Sequence, residues 1–384
     1  MLDLTRAAAL LKSPDTAGLL RAALTGSSES ALPDFRAELT TWQYRPGAEV
    51  TAGYRTAYTL PDGHQVEDHL LATTATVSAP ATRVTRDGLV FHVWRHPGDP
   101  KLPGLAAACD PGLVESWPGC TGLLRLDLLG YRPLRRAVLR ASGTSGVAYL
   151  KVLRPERADR LAVRQGLLAR EGLTQPLAGR PVPGVLVTAA APGRSLAELL
   201  SASGALPSPV DLIGLLGRLP DELLTLERRP SWSERLDFHA ATAVERLPSE
   251  AARIAALAAR VQQVLDGAPV GPLVPTHGDF YEANIMVDGD RLRLIDLENA
   301  GPGRREDDLA CLLAHLAVLP GLSPDHYPRV PDVLAEWTQD FSTRVHPAAL
   351  SARVAAVLLS LVAGGPGRQA EHRLSLAEEW ADAG

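Results

Sequence analysis

An α+β fold in three parts is predicted by three features of the 384-residue sequence. Strand-like alternation, broken by Asp-Gly turns, follows two short helical stretches near the N-terminus. A second group of strand-like runs begins near residue 119 and leads into a helix and one more strand. Beyond Ser195 the apolar spacing is helical, apart from one irregular island, PTHGDFYEANIMVDGDRLRLIDLENAGPG. The expected parts are a small α+β unit over 1–118, a sheet-rich part over 119–191, and a mainly helical part over 192–384 that holds the island.

Residues 2–12 and 16–25 repeat apolar side chains at helical spacing on either side of Ser13-Pro14-Asp15. From Phe35 to His96 the pattern is that of strands. EVTAGYRTAYTL and QVEDHLLATTATV flank Pro61-Asp62-Gly63, and RVT and LVFHVW flank Arg86-Asp87-Gly88, so each pair is expected as a hairpin. A short helix is expected near Leu105–Cys109. GLLRLDLLG, RRAVLRAS and VAYLKVLR, with turns at 130–133 and 143–146, are expected as one antiparallel sheet. Pro155 and Glu156 open a helix that ends near Gly172, and GVLVTAA is a strand ahead of the Pro192-Gly193 turn. Helices are then expected over 195–200, 210–226, 250–265, 307–319 and 348–361.

Composition narrows the function classes. Hydrophobic residues make up 46% and charged residues 22%, the balance of a folded, water-soluble chain. Lys and Arg number 39 against 44 Asp and Glu, and the net charge of -5 supplies no general attraction to nucleic acid or anionic lipid. Neither is expected as a partner. The three cysteines, Cys109, Cys120 and Cys311, are too few and too scattered for a disulfide framework or a zinc site, and read as packing residues in a reducing cytoplasm. The opening MLDLTRAAALLKSPDT lacks the features of a signal peptide, and the longest apolar tract, 354–365, is shorter than the roughly 18 residues that span a bilayer. A cytoplasmic location without a membrane anchor is expected.

The island carries the chemistry. In His277-Gly278-Asp279-Phe280-Tyr281-Glu282-Ala283-Asn284 an Asp and an Asn stand five residues apart, and Asp296 follows after a short hairpin. Phosphoryl transfer needs a carboxylate to take or orient the proton of an attacking hydroxyl, and oxygen ligands to hold magnesium on nucleotide phosphates. Asp279 suits the first role, Asn284 and Asp296 the second. The runs IMV and LRLID, pairing across Asp288-Gly289-Asp290, would return Asp296 to the end of the ribbon where Asn284 stands. Glu298, two residues further along an extended chain, is expected on the same face as Asp296 as an additional ligand. His277 is expected to fix the loop by hydrogen bonding rather than to act in catalysis, and Asp307 and Asp308 to cap a helix.

HGDFYEAN, LIDLENAGPG and Asp307-Asp308-Leu309-Ala310, in this order, resemble the aminoglycoside phosphotransferase and choline kinase-like family, a variant of the protein kinase fold. With VAYLKVLR the resemblance covers about residues 119–384. It implies a two-lobed kinase-like fold behind an additional N-terminal α+β domain. It further implies ATP and Mg2+ as cofactors, Asp279 as catalytic base, Asn284 and Asp296 as magnesium ligands, and Lys151 as the phosphate-binding lysine. A lysine within an otherwise apolar strand is costly to bury unless an anion meets it, which agrees with that role. By analogy, the backbone of Leu186–Ala191, including Thr188 and Ala190, would read the adenine ring. Asp307 or Asp308 would also brace the catalytic loop.

Two departures accompany the resemblance. The turn Gly130-Tyr131-Arg132-Pro133 is not a glycine-rich phosphate loop, and Arg135 or Arg136 is the expected substitute contact to phosphate. The helix after Lys151 has no glutamate at its middle, which leaves Glu156, Glu171 or Gln165 to partner the lysine. The expected function is an ATP- and Mg-dependent phosphotransferase acting on a hydroxyl of a small metabolite: a sugar, an amino sugar or an aminoglycoside-like compound. The alternative is a nucleotide-binding regulatory pseudokinase without turnover.

Overall fold

The computed structural model describes residues 3–383 except 27–31, 33, 46 and 203, so Leu2, the start of the first expected helix, lies outside the described residues. The chain forms two compact units, one of residues 1–162 and 177–190, the other of 163–176 and 191–384.

The first unit opens with α1 (Leu4–Lys12) and α2 (Thr16–Thr25), followed by β1 (Arg36–Arg45), β2 (Glu49–Thr59), β3 (Gln65–Thr73), β4 (Thr82–Arg86) and β5 (Leu89–Arg95). Asp3 caps α1 by accepting from the Arg6 amide at 2.9 Å. The five strands form an antiparallel sheet in the order β1-β2-β3-β5-β4. Both expected hairpins are present, with Thr59 opposite Gln65 and Arg86 opposite Leu89. Asp87 and Gly88 adopt φ of 51° and 76°, the two positive values that a type I′ turn requires, which is why Asp-Gly stands there. Leu10, Leu11, Leu19 and Leu20 of the helices pack on Val50, Tyr54, Leu70 and Phe91 of the sheet.

The chain continues through α3 (Leu105–Ala108) and α4 (Pro111–Glu115) into a second sheet. Its strands are β6 (Leu123–Arg132), β7 (Arg136–Gly143) and β8 (Gly146–Leu153). After α5 (Pro155–Arg170) come β9 (Leu177–Gly179) and β10 (Val185–Ala189). The expected antiparallel trio is formed and β10 joins it beside β8, giving the order β6-β7-β8-β10-β9. One face of this sheet is covered by Leu102, Leu105, Val114 and Trp117, which pack on Leu139, Leu150, Val152 and Val185. The stretch just before residue 118 therefore belongs to the core of the second sheet.

The second unit adds β11 (Arg194–Ser195), α6 (Leu196–Leu200), α7 (Pro209–Gly217), α8 (Leu236–Arg246) and α9 (Ala251–Gly267). The island follows as β12 (Val274–Thr276), β13 (Ile285–Asp288), β14 (Arg291–Leu294) and β15 (Gly301–Gly303), and then come α10 (Arg305–Leu322), α11 (Val330–Ser342), α12 (Pro347–Val362) and α13 (Gly367–Asp382). The helix expected over 210–226 is broken: α7 stops at Gly217 and a 3-10 turn covers Asp221–Thr225. Pro220 lies between them, and a proline disfavours helical backbone at the residue before it. Helices α8, α11 and α13 were not expected. Among the described residues no helix is long and apolar enough to cross a membrane.

Candidate active site

The loop that bears Asp279 is pinned from below. β12 pairs with β15 and delivers His277 into the interior, where it has no solvent exposure. The His277 amide donates to Asp308 Oδ2 and the Gly278 amide to Asp308 Oδ1, each at 2.8 Å. Asp308 sits in the first turn of α10, yet it braces the neighbouring loop instead of capping its own helix. Burial pushes its carboxyl up to about 7, while the two backbone donors pull the other way. Gly278 has φ of 75°, and a Cβ there would come within 2.7 Å of the Asn299 carbonyl, so only glycine fits this close approach.

The other end of the loop is closed by Asn284. Its Nδ2 donates to the Asp279 carbonyl at 2.9 Å and its amide to the Tyr281 carbonyl at 2.9 Å. With the amide nitrogen so engaged, Asn284 Oδ1 is the atom it offers to a cation. β13 and β14 pair with Ile285 opposite Leu294 and Asp288 opposite Arg291, the expected hairpin. The Ile295 amide donates to the Asn284 carbonyl at 3.0 Å, which brings Asp296 to the loop end that holds Asn284. His277 Nε2 lies 3.0 Å from the Ile295 carbonyl; since a carbonyl only accepts, this nitrogen carries the proton. The histidine thus ties the loop of Asp279 to the strand that delivers Asp296, fixing it by hydrogen bonding as expected.

One expectation is corrected at Asp296. The residue has φ of 61° and ψ of 57°, a left-handed conformation, and Leu297–Asn299 form a 3-10 turn. The chain is not extended there, so the two-residue alternation that placed Glu298 on the face of Asp296 does not apply. Asp is among the residues that tolerate this conformation best, which accounts for a non-glycine at the bend.

Magnesium takes hard oxygen ligands and keeps places for water and phosphate. Among the described residues no group of three or more His, Cys, Asp and Glu side chains is arranged to hold a metal on its own. An amide oxygen from Asn284 and a carboxylate from Asp296 fit an ion that completes its shell from a nucleotide. The surrounding shell was less visible in the sequence. Tyr281 stacks on His315 with ring centroids 4.3 Å apart, and burial lowers His315 to about 4. Glu282 is buried, with its carboxyl pushed up to about 7 by desolvation. Arg164 of α5 donates to the Ala300 carbonyl at 2.6 Å. Its helical spacing between Leu161 and Leu168 was the available sign that it faces inward.

Of the remaining sequence-derived residues, Lys151, Arg135, Thr188 and Ala190 lie in the first unit and Gln165 in the second. Lys151 stands in β8 opposite Val138 and Leu186, on the face away from Leu150 and Val152, and is half-buried. It is therefore not sunk in an apolar core, as the strand's composition implied. Arg135 has its guanidinium 4.0 Å from Glu49 of β2. Thr188 pairs with Tyr149 of β8 on one side and Leu177 of β9 on the other. The Ala190 amide donates to the Val147 carbonyl at 2.8 Å, so this donor is not available to a purine. Gln165 donates its amide to the Gln175 carbonyl, bracing the chain after α5.

The phosphotransferase enzyme family (APH) matches residues 147–339, about half of the chain. Among solved structures, choline kinase from Cryptosporidium parvum Iowa II is similar at 12% identity, over 73% of this chain and 93% of that one, with a TM-score of 0.45. A thermostable mutant of aminoglycoside phosphotransferase APH(4)-Ia, apo form, is similar at 14% identity, over 68% and 94% of the two chains, with a TM-score of 0.48. A choline/ethanolamine kinase family protein from Mesorhizobium loti is 18% identical over 72% and 92%, with a TM-score of 0.43. No curated protein matches the sequence. The chain belongs to the phosphotransferase enzyme family.

Proposed function

We propose that this family member is an ATP- and magnesium-dependent kinase that phosphorylates a hydroxyl of a small metabolite: a sugar, an amino sugar or an aminoglycoside-like compound. The observation that carries this reading is the closed loop from His277 to Asn284. Its backbone is pinned by Asp308, and the hairpin behind it returns Asp296 to its end. Rigid positioning of a base and of cation ligands is what phosphoryl transfer asks of a protein, because the reaction itself needs little covalent participation.

Asp279 would orient the acceptor hydroxyl and receive its proton. The oxygen of that hydroxyl bonds to the γ-phosphorus while the bridging P–O bond breaks, and the electron pair leaves with ADP. Asn284 and Asp296 would hold magnesium, and Lys151 would contact nucleotide phosphate. Bound there, magnesium would neutralise charge on the phosphate oxygens.

An ADP-release screen with ATP and magnesium across sugars, amino sugars, aminoglycosides and amino alcohols tests the reading. At least one acceptor is expected to raise ADP release above the water-only rate. Asp279→Asn is expected to lower that rate by about 1,000-fold, within the range for loss of a general base, with nucleotide binding retained. Full turnover in the variant, or no response to any acceptor in the parent, would remove the assignment.

A further inference from the structure

Beside the catalytic loop, within the second unit, lies a cavity of about 290 Å³ walled by Arg229, Trp232, Arg235, Gly278, Asn299 and Asp307. This size is near the lower end for small-molecule sites and suits a single ring better than a multi-ring compound. Gly278 directly precedes Asp279 in the chain, so the wall of the cavity is the backbone that carries the proposed base.

The charges of this wall are unequal in what they have left to offer. Asp308, also in the wall, spends both carboxylate oxygens on the His277 and Gly278 amides. Asp307 is ion-paired with Arg353 at 3.1 Å, with both side chains 12% exposed, and accepts from the Ser233 hydroxyl at 3.0 Å. Neither carboxylate is available to a cationic ligand without breaking a buried contact, which is costly. The two arginines stand differently. Arg229 donates to the neutral Asn299 amide oxygen at 2.6 Å, and the Arg235 guanidinium lies 4.4 Å above the Phe238 ring. Among the described residues neither is ion-paired with a carboxylate. Guanidinium groups present several donors in a fork that matches the oxygens of carboxylate and phosphate. Trp232 adds a large amphipathic ring to the same wall, a surface on which a sugar ring can pack.

We infer that this cavity is the acceptor site and that it takes a single-ring, hydroxylated acceptor bearing an oxyanion, a carboxylate or a phosphate, held by Arg229 and Arg235. This rests on the kinase reading for the reaction, and it narrows the acceptor class away from polycationic aminoglycosides. Arg229 and Arg235 act as binding residues, and their contribution is electrostatic and screened by salt.

The test is direct calorimetric titration of the full chain with glucuronate and with glucose 6-phosphate, against glucose and glucosamine, with ADP release measured on the same four compounds. At least one anionic compound is expected to bind about 10-fold or more tightly than glucose and glucosamine. Arg235→Gln, at an exposed position, is expected to erase that preference while leaving the affinity for glucose within about twofold, and Arg229→Gln should act in the same direction. Preference for glucuronate over glucose 6-phosphate, or the reverse, identifies which oxyanion the fork accepts. The inference is overturned if glucose or glucosamine binds as tightly as both anions, if neither anion binds at millimolar concentration, or if Arg235→Gln weakens all four equally. Turnover confined to the neutral or cationic compounds overturns it and leaves the kinase reading intact. Selective anion binding without any ADP release supports the pocket's chemistry and counts against the kinase reading.

Discussion

The two sheets of the first unit share one strand order, with a third strand pairing with a fifth and the fourth at the edge, yet they differ in what covers them. In the first sheet both faces of β3 are buried. Leu70 meets the leucines of α1 and α2, and Leu71 packs with Trp94 and Leu134. In the second sheet Leu150 and Val152 of β8 lie under the cover formed by 102–117, while Lys151 between them is on the opposite face and half-buried. The connection from third to fourth strand differs as well. It is the loop 74–81 in the first sheet and α5 in the second. The same ladder thus carries apolar side chains on both faces of its third strand in one place and a half-buried lysine on one face in the other. Full burial of a charge costs several kcal/mol, and a half-buried position lessens that cost.

The largest expected break in this comparison comes from the chain's own punctuation. A truncation starting at Gly119 removes Leu102, Leu105, Val114 and Trp117 from the core of the second sheet, and is expected to yield no cooperatively folded protein by circular dichroism and thermal melting. A start near Asp99 keeps that cover and should fold. Equal stability of the two truncations would show that the cover is dispensable.

Next in size is the contrast between the third strands. Lys151→Met is expected to lower kcat/KM by about 100-fold or more, the order seen when one charge-stabilising donor is lost, with little change in melting temperature. Leu71→Ala, in the sheet that carries no such lysine, is expected to destabilise the protein by about 2–5 kcal/mol in denaturant titration, with activity per folded molecule kept. A reversed pattern would mean that Lys151 is structural and Leu71 functional.

The smallest effect is at the seam between the sheets. Tyr131 donates to Asp99 Oδ2 at 2.8 Å, and the Leu134 amide donates to the same oxygen at 2.7 Å. Tyr131→Phe removes one of the two bonds and is expected to cost about 1 kcal/mol of unfolding free energy, without change in KM for ATP. A shift in KM larger than about twofold would tie the seam to nucleotide binding.

Short-range features were legible from the sequence, and for a common reason. Asp62-Gly63, Asp87-Gly88 and Gly289-Asp290 each sit between alternating runs, and turn chemistry acts over a few residues. The loop from His277 to Asn284 was readable in the same way, since its closing bond joins residues five apart. Helix α13 was not, because its buried stripe is Ala370, Leu374, Ala377 and Ala381, and alanine contributes little to an apolar pattern. The extended chain expected from Asp296 to Glu298 is not formed, because a single left-handed residue, Asp296, ends the alternation. That the Ala190 amide, within the stretch expected to read adenine, is taken by the Val147 carbonyl, 43 positions earlier, is shown by nothing local.

By itself, the sequence determined the alternation of strands and the glycine-bearing turns, and it pointed to Asp279, Asn284 and Asp296 as the proposed set, all of which follow from local backbone preference and from the oxygen chemistry that phosphoryl transfer requires. The tertiary structure alone decided that Asp308 braces the loop, that Arg135 lies near Glu49, and that two arginines with no carboxylate partner among the described residues share a cavity wall with Trp232. Those are partnerships between groups far apart in the chain. Which donor meets which acceptor there is set by burial and competition among all the groups that arrive together, and no local pattern encodes that outcome.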